Sequence, residues 1–177
     1  MSQQNIHPPG KKLGQGMLIT CFVIGLAGLA LLFDGMLERQ FNPNQTPSSF
    51  EGANGSREVV LEQNRQGHYV ASGTINQNPV IFLLDTGATD VAIPASVAQR
   101  TGLIAGSQSL ATTANGVASV FATNIEQLTI GNIELRNVRA SIAPNMPGDT
   151  ILLGMSALRQ VEFSQRGRTL TLRQLAK

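Results

Sequence analysis

The stretch Phe82-Leu83-Leu84-Asp85-Thr86-Gly87-Ala88 decides how this chain is read. With Val80 and Ile81 before it, it makes a continuous apolar run of strand length that ends in a single carboxylate. A buried strand avoids Asp, because an ionised carboxylate in an apolar interior is costly unless something holds it. At the last position of the strand the cost falls, since Thr and Gly supply a tight turn and free backbone amides. This arrangement suits acid–base chemistry, and Asp-Thr-Gly occurs only once in the chain. The bland alternative is an Asp that merely caps its own turn.

Around this stretch, short β-rich runs alternate with turn residues, the pattern of a small all-β barrel or sandwich. Strands are expected over Glu58–Glu62, His68–Ile75 and Val80–Leu84, with turns at Asn64–Gly67 and Asn76–Pro79. The third is apolar throughout and is expected to be buried on both faces. Pro94–Arg100 reads as a short helix with Pro near its start and Gly102 beyond its end. Further strands are expected over Ser119–Thr123, Glu126–Ile130 and Ile133–Val138, the last two joined by a Gly131-Asn132 hairpin turn. Ile151-Leu152-Leu153-Gly154 is a second fully apolar strand, and Met155-Ser156-Ala157-Leu158 opens a short helix. Val161–Phe163 and Thr169–Leu172 flank Gly167 in a closing hairpin. No solenoid-length repeat recurs.

The N-terminal third differs in composition. Met17–Phe33, MLITCFVIGLAGLALLF, carries no charge, and with its apolar flanks approaches the roughly 20 residues that span a bilayer. A cleaved signal peptide is the rival reading, because Gly28-Leu29-Ala30 imitates a small-x-small cleavage site. Leu31-Leu32-Phe33 follow at once, which suits an uncleaved anchor better, and a run apolar on all faces does not suit a core helix. The expected layout is a cytoplasmic tail at 1–12, a transmembrane anchor at 13–37, a flexible linker at 38–56 and a folded domain at 57–177. Lys11 and Lys12 before the run, against Asp34, Glu38 and Arg39 after it, favour a cytoplasmic N-terminus in the inner membrane and a periplasmic domain. The linker reading rests on Asn42-Pro43-Asn44-Gln45-Thr46-Pro47-Ser48-Ser49, polar and poor in core-forming residues. Cys21 and Gly25 form a small-xxx-small pair that would let two anchors approach.

Composition excludes several function classes. A formal net charge of +2, with scattered basic residues, argues against nucleic acid as a partner. Two distant His residues, His7 and His68, and one Cys leave no donor set for a metal site and no intrachain disulfide. No cofactor is implied. Ser96, Ser119 and Ser141 have no base nearby in sequence, so a Ser hydrolase has no support. Asp90 reads as a turn or subsite residue and His68 as a structural or surface residue.

Leu84-Asp85-Thr86-Gly87-Ala88 and Ile151-Leu152-Leu153-Gly154 resemble the two signature elements of retropepsin-like aspartic proteases. The resemblance is closest to the bacterial, membrane-anchored branch, with Gly67-His68-Tyr69-Val70 before the motif and Thr113-Ala114-Asn115-Gly116 after it, and it covers roughly 58–172. It implies an all-β, retropepsin-like acid-protease barrel with short helices, preceded by the transmembrane helix. It also implies peptide hydrolysis by a water activated between two carboxyls that share one proton. Because the chain supplies one Asp-Thr-Gly, the second carboxyl is expected from Asp85 of another copy in a homodimer. In such enzymes the Thr86 position locks the two active-site loops and the Gly87 position lines the substrate, with Ala88 completing the loop. Leu152, Leu153 and Gly154 form the second structural motif. The segment 111–118, with Asn115-Gly116 at its tip, is the expected flap over a peptide or protein substrate.

Two positions depart from the retroviral pattern. There, an Asp after the motif and an Arg after the downstream Gly form an ion pair; here the positions are Thr89 and Met155. Both partners are missing together, which leaves no orphan charge but removes a known support of assembly. The alternative function is a catalytically silent, membrane-tethered binding or scaffolding module of the same fold. Cleavage of the chain's own linker is a third reading.

Overall fold

The computed structural model describes residues 11–52, 54–113 and 116–176. The chain divides into two compact units at Glu38/Arg39. The first is the body of one helix, α1 (Lys11–Phe41), in which 14–38 are all exposed. Gly14–Phe41 is long and apolar enough to cross a membrane, with a mean hydropathy of 2.4. Apolar side chains cover every side of it, so it has no preferred face for a protein core.

The second unit is built from two sheets. A four-stranded antiparallel sheet has the order β1 (Ser48–Glu51), β2 (Arg57–Glu62), β11 (Thr169–Gln174), β10 (Glu162–Arg166). The larger sheet has the order β3 (Val70–Ile75), β4 (Asn78–Leu84), β9 (Thr150–Leu153), β5 (Val91–Pro94), β8 (Ile133–Ala143), β7 (Gly116–Ile130), β6 (Gln108–Thr113). Its β3 also pairs with β7 at Thr74–Thr129 and Ile75–Leu128, so the sheet curls back on itself. Two short helices, α2 (Ala95–Arg100) and α3 (Met155–Leu158), follow β5 and β9. Val59, Leu61, Leu170 and Leu172 of the small sheet share one core with Phe82, Ile93, Leu128 and Ile151 of the large one. Each such side chain contributes about 1.5–3 kcal/mol by leaving water. The unit is the expected all-β barrel with short helices.

Two expectations about strands need correction. β4 is not buried on both faces: Val80 and Phe82 are buried while Ile81 and Leu83 are half-buried. Its neighbours β3 and β9 lie in the same sheet, and only one face of that sheet meets the core. The two strands expected at 119–123 and 126–130 are one strand, β7, which pairs along its length with β6, β8 and β3. The turns at Asn76-Gln77 (φ 48 and 68), Gly131 (φ 56) and Gly167 (φ 58) lie where expected.

The segment 38–56 is not an empty tether. It holds the last residues of α1 and all of β1, whose Ser48–Glu51 pairs with Arg57–Val60. Asn44 is buried and joins β2 to β3. Its Nδ2 donates to the carbonyls of Glu62 (2.9 Å) and Val70 (2.7 Å), while its Oδ1 accepts from the Glu62 N–H (2.7 Å). Asn42, also buried, accepts from the Asn44 N–H at 3.0 Å and donates to Ser72 Oγ at 2.9 Å. The Asn44 side chain therefore acts as a backbone surrogate that ties two strands of different sheets, and Asn42 holds Asn44 against β3. Asn44→Ala would leave three backbone groups without this partner, the Val70 carbonyl among them buried, so a loss of about 2–4 kcal/mol is expected in chemical unfolding of the full chain. An unchanged midpoint would contradict that role.

Candidate active site

Asp85 is placed by the parallel pairing of β4 with β9, in which Leu83 sits opposite Leu152 and Leu84 opposite Leu153. One residue past the strand, the Asp85 N–H donates to the Leu153 carbonyl at 3.1 Å, so the carboxylate inherits the position of the ladder. The chain then turns. Gly87 N–H donates to Asp85 Oδ1 at 2.8 Å, and Ala88 N–H to the Asp85 carbonyl at 3.3 Å. Asp85 does cap its own turn, but with one oxygen only. Its Oδ2 has no partner among the described residues, and Thr86 and Gly87 beside it are exposed. A carboxylate with one oxygen oriented by an amide and the other open can accept or donate a proton at a fixed point.

The far end of the loop is held by the β9–α3 junction. Met155 N–H donates to the Ala88 carbonyl (2.8 Å) and Ser156 N–H to the Thr89 carbonyl (2.9 Å). Gly154 lies directly beneath: a Cβ there would collide with the Asp90 carbonyl and come within 2.7 Å of the Ala88 carbonyl oxygen. Only glycine permits this approach. Leu153 is buried and Leu152 half-buried, so the second motif is a structural platform under the Asp85 turn.

Thr89 and Met155 do not pair; their link is through backbone bonds of the loop and helix. Asp90, five residues past Asp85, and Asp149, at the opposite end of the β4–β9 pair, are engaged elsewhere. Asp90 Oδ1 accepts from Arg139 Nε (2.8 Å) and Nη2 (2.7 Å). Asp149 accepts from Arg100 Nη1 (2.8 Å) and Ser96 Oγ (2.9 Å). Those two hydrogen bonds, Arg100 first, hold the Asp149 carboxyl below its ordinary value. The stabilisation they carry is therefore present above the ordinary carboxylate range and is lost as pH falls towards the depressed value. His68 is exposed, with its backbone N–H on Asn64 Oδ1. Gly116 starts β7 opposite Thr113 with φ 110, as suits a hairpin end, while Asn115 lies outside the described residues. On this hairpin Leu110 and Val117 are exposed. A surface basin of about 880 Å³ is bordered by Arg57, Arg136, Arg159 and Arg173 but by no residue of the Asp85 loop.

Ser156 has the one side chain at this junction whose role is not legible in the sequence. Its Oγ accepts from the Val91 N–H (3.0 Å) and donates to the Arg139 carbonyl (2.7 Å). Nothing in a four-residue helix opening marks it. Its side-chain partners lie 65 and 17 positions away.

Comparison with known proteins fits this geometry. A family model described as "gag-polyprotein putative aspartyl protease" matches residues 71–160, half of the chain, from β3 past α3. The chain belongs to this aspartyl protease family. Both motifs of the retropepsin-like fold, at Asp85 and at Gly154, fall inside the match. The crystal structure of a retropepsin-like aspartic protease from Rickettsia conorii superposes with a TM-score of 0.56 at 25% identity, over 74% of this chain and 97% of that one. An uncharacterized protein in the cobV 5' region of Sinorhizobium sp is 34% identical over 114 residues, which is 63% of this chain and 49% of the relative. An uncharacterized protein of Rickettsia prowazekii (strain Madrid E) is 28% identical over 107 residues, 58% and 45% of the two chains. The chain thus spans about half the length of the curated relatives it matches.

Two outcomes check this geometry. Gly154→Ala should lower stability by about 1–3 kcal/mol or more in thermal or chemical unfolding, because the loop above it has no room to retreat. Replacement without cost would mean the loop does not rest on the junction. The melting-temperature gap between wild type and Asp149→Asn should close as pH falls from the ordinary carboxylate range towards the depressed value of the wild-type carboxyl. A gap that widens there would contradict the assignment.

Proposed function

We propose that the chain is a membrane-anchored aspartic endopeptidase that works as a homodimer. The observation that carries the reading is the Asp85 turn itself: one carboxylate per chain, with one oxygen held by Gly87 N–H and the other open. Asp90 and Asp149 are each tied to an Arg, which makes them poor second acids. The second carboxyl then comes from Asp85 of the partner subunit across a two-fold axis.

Two carboxyls at close range cannot both ionise, so the pair holds one proton. The ionised Asp85 takes a proton from a water as that water attacks the peptide carbonyl carbon. The protonated one delivers its proton to the carbonyl oxygen. As the resulting gem-diol collapses, the C–N bond breaks, the leaving amine takes a proton from the pair and a gem-diol hydroxyl returns one to it. Thr86, exposed and without a partner among the described residues, is free to link the two loops, and Gly87 leaves room for the substrate backbone. The β6–β7 segment, which carries Asn115 and Gly116 in its sequence, closes over the peptide and excludes water.

Residues 13–37 anchor the protein in the inner membrane, with 1–12 in the cytoplasm and the β unit in the periplasm; the length and hydropathy of α1 and the preceding lysines support this. A cleaved signal sequence would satisfy the same length and hydropathy. Cleavage of the chain's own segment 39–52 is disfavoured, since β1 and the buried Asn42 and Asn44 would first have to leave their partners.

The test uses the full chain in detergent on a peptide library. Asp85→Asn should lower cleavage roughly 10³-fold or more at unchanged thermal stability. Specific activity of the wild type should fall on dilution. A wild type that binds a statine-type mimic of the transition state supports the peptidase; full activity in the Asp85 variant would overturn the assignment of Asp85, and no cleavage by the wild type would favour the silent binding module.

A further inference from the structure

β5 and β8 run parallel with Val91 opposite Ala140. In such a ladder the Val91 N–H belongs on the carbonyl one residue before its partner, that of Arg139. The Ser156 hydroxyl bridges these two groups, accepting from Val91 N–H at 3.0 Å and donating to the Arg139 carbonyl at 2.7 Å. A side chain from α3 thus joins the two strands at the first rung of the ladder. The same residue's backbone N–H holds Thr89 at 2.9 Å, so Ser156 grips the loop on both sides of Asp90.

The consequence reaches Asp85. The loop from Asp85 to Val91 is pinned at its start by Leu153, at its middle by Met155 and at its end by Ser156. The first two pins are backbone bonds that any residue could make; the last depends on a hydroxyl. Without it, the Val91 N–H is drawn onto the Arg139 carbonyl, because a buried amide seeks the nearest acceptor. Closing the rung pulls the end of the loop towards β8 while its start stays on β9. The slack is taken up in the exposed turn between, at Thr86-Gly87.

We propose that the Ser156 hydroxyl is a positioning residue, which sets the Asp85 carboxylate by bridging the Val91 N–H and the Arg139 carbonyl at the first β5–β8 rung. Its kinetic consequence rests on the peptidase reading; its structural consequence does not. Gly87 N–H, bonded to Asp85 Oδ1, is the local reporter.

The experiment compares Ser156→Ala, Ser156→Thr and Ser156→Cys in the full chain in detergent. It reads kcat and KM on a cleaved peptide and the Gly87 amide resonance by two-dimensional NMR. In Ser156→Ala, kcat should fall roughly 10- to 100-fold with KM within about twofold, and the Gly87 resonance should move. Ser156→Thr, which keeps the hydroxyl, should restore both. An unmoved Gly87 resonance with wild-type kcat in Ser156→Ala overturns the proposal, and so does a Thr variant as impaired as the Ala one. If Ser156→Ala does not fold, Ser156→Cys, near in size but a weak hydrogen-bonding group, should still displace Gly87; an undisplaced resonance overturns the proposal equally. If the wild type cleaves no peptide, the peptidase reading fails, while the Gly87 resonance still decides the role of Ser156.

Discussion

The parallel pairing of β4 with β9 is the constraint from which the site follows. Two apolar strands lie side by side and end together, one in Asp85 and the other in Gly154. The ladder runs one bond further, to the Asp85 N–H, so the carboxylate is set by the rigid part of the sheet rather than by a free loop. The returning chain then passes over Gly154 so closely that no side chain fits between them. Each hydrogen bond involved is worth only about 0.5–1.5 kcal/mol net. Their value lies in acting together on seven residues, which is how a site reaches the small positional tolerance that acid–base chemistry needs.

Much of this could be read in the sequence, for a physical reason. A continuous apolar run ending in Asp-Thr-Gly, and another ending in Gly before a helix, are local patterns whose cost and use depend on adjacent residues. The hairpins at Gly131 and Gly167 were legible on the same grounds, because positive φ selects for particular residues. What was not legible depends on distant partners. Asn42 and Asn44 look like solvated linker residues, because composition cannot separate an Asn facing water from one that supplies a donor and an acceptor to two strands. β5, at four residues, is too short to carry a period. The half-exposure of Ile81 and Leu83 escapes a reading of hydrophobicity alone, which records that a face is apolar but not what covers it.

The site is open in a way that bears on assembly. Thr86 and Gly87 are exposed and Asp85 keeps one oxygen unbonded among the described residues, an arrangement that leaves the turn available to a second copy. β11 has neighbours on both sides, so the last strand is not a free edge; in the small sheet the outer strands are β1 and β10, and every residue of both is exposed. Thr89 and Met155 are uncharged where the retroviral pattern has an ion pair, and backbone hydrogen bonds from α3 hold the loop here.

The claim at the centre of this account is that each active site needs Asp85 from two chains. Mixing wild-type chain with Asp85→Asn chain, at constant total concentration and with time for exchange, tests it directly. If the site is shared, activity follows the square of the wild-type fraction, and an equal mixture retains about one quarter. Activity in simple proportion to the wild-type fraction, about one half at equal mixing, would mean that one chain acts alone and would contradict the account.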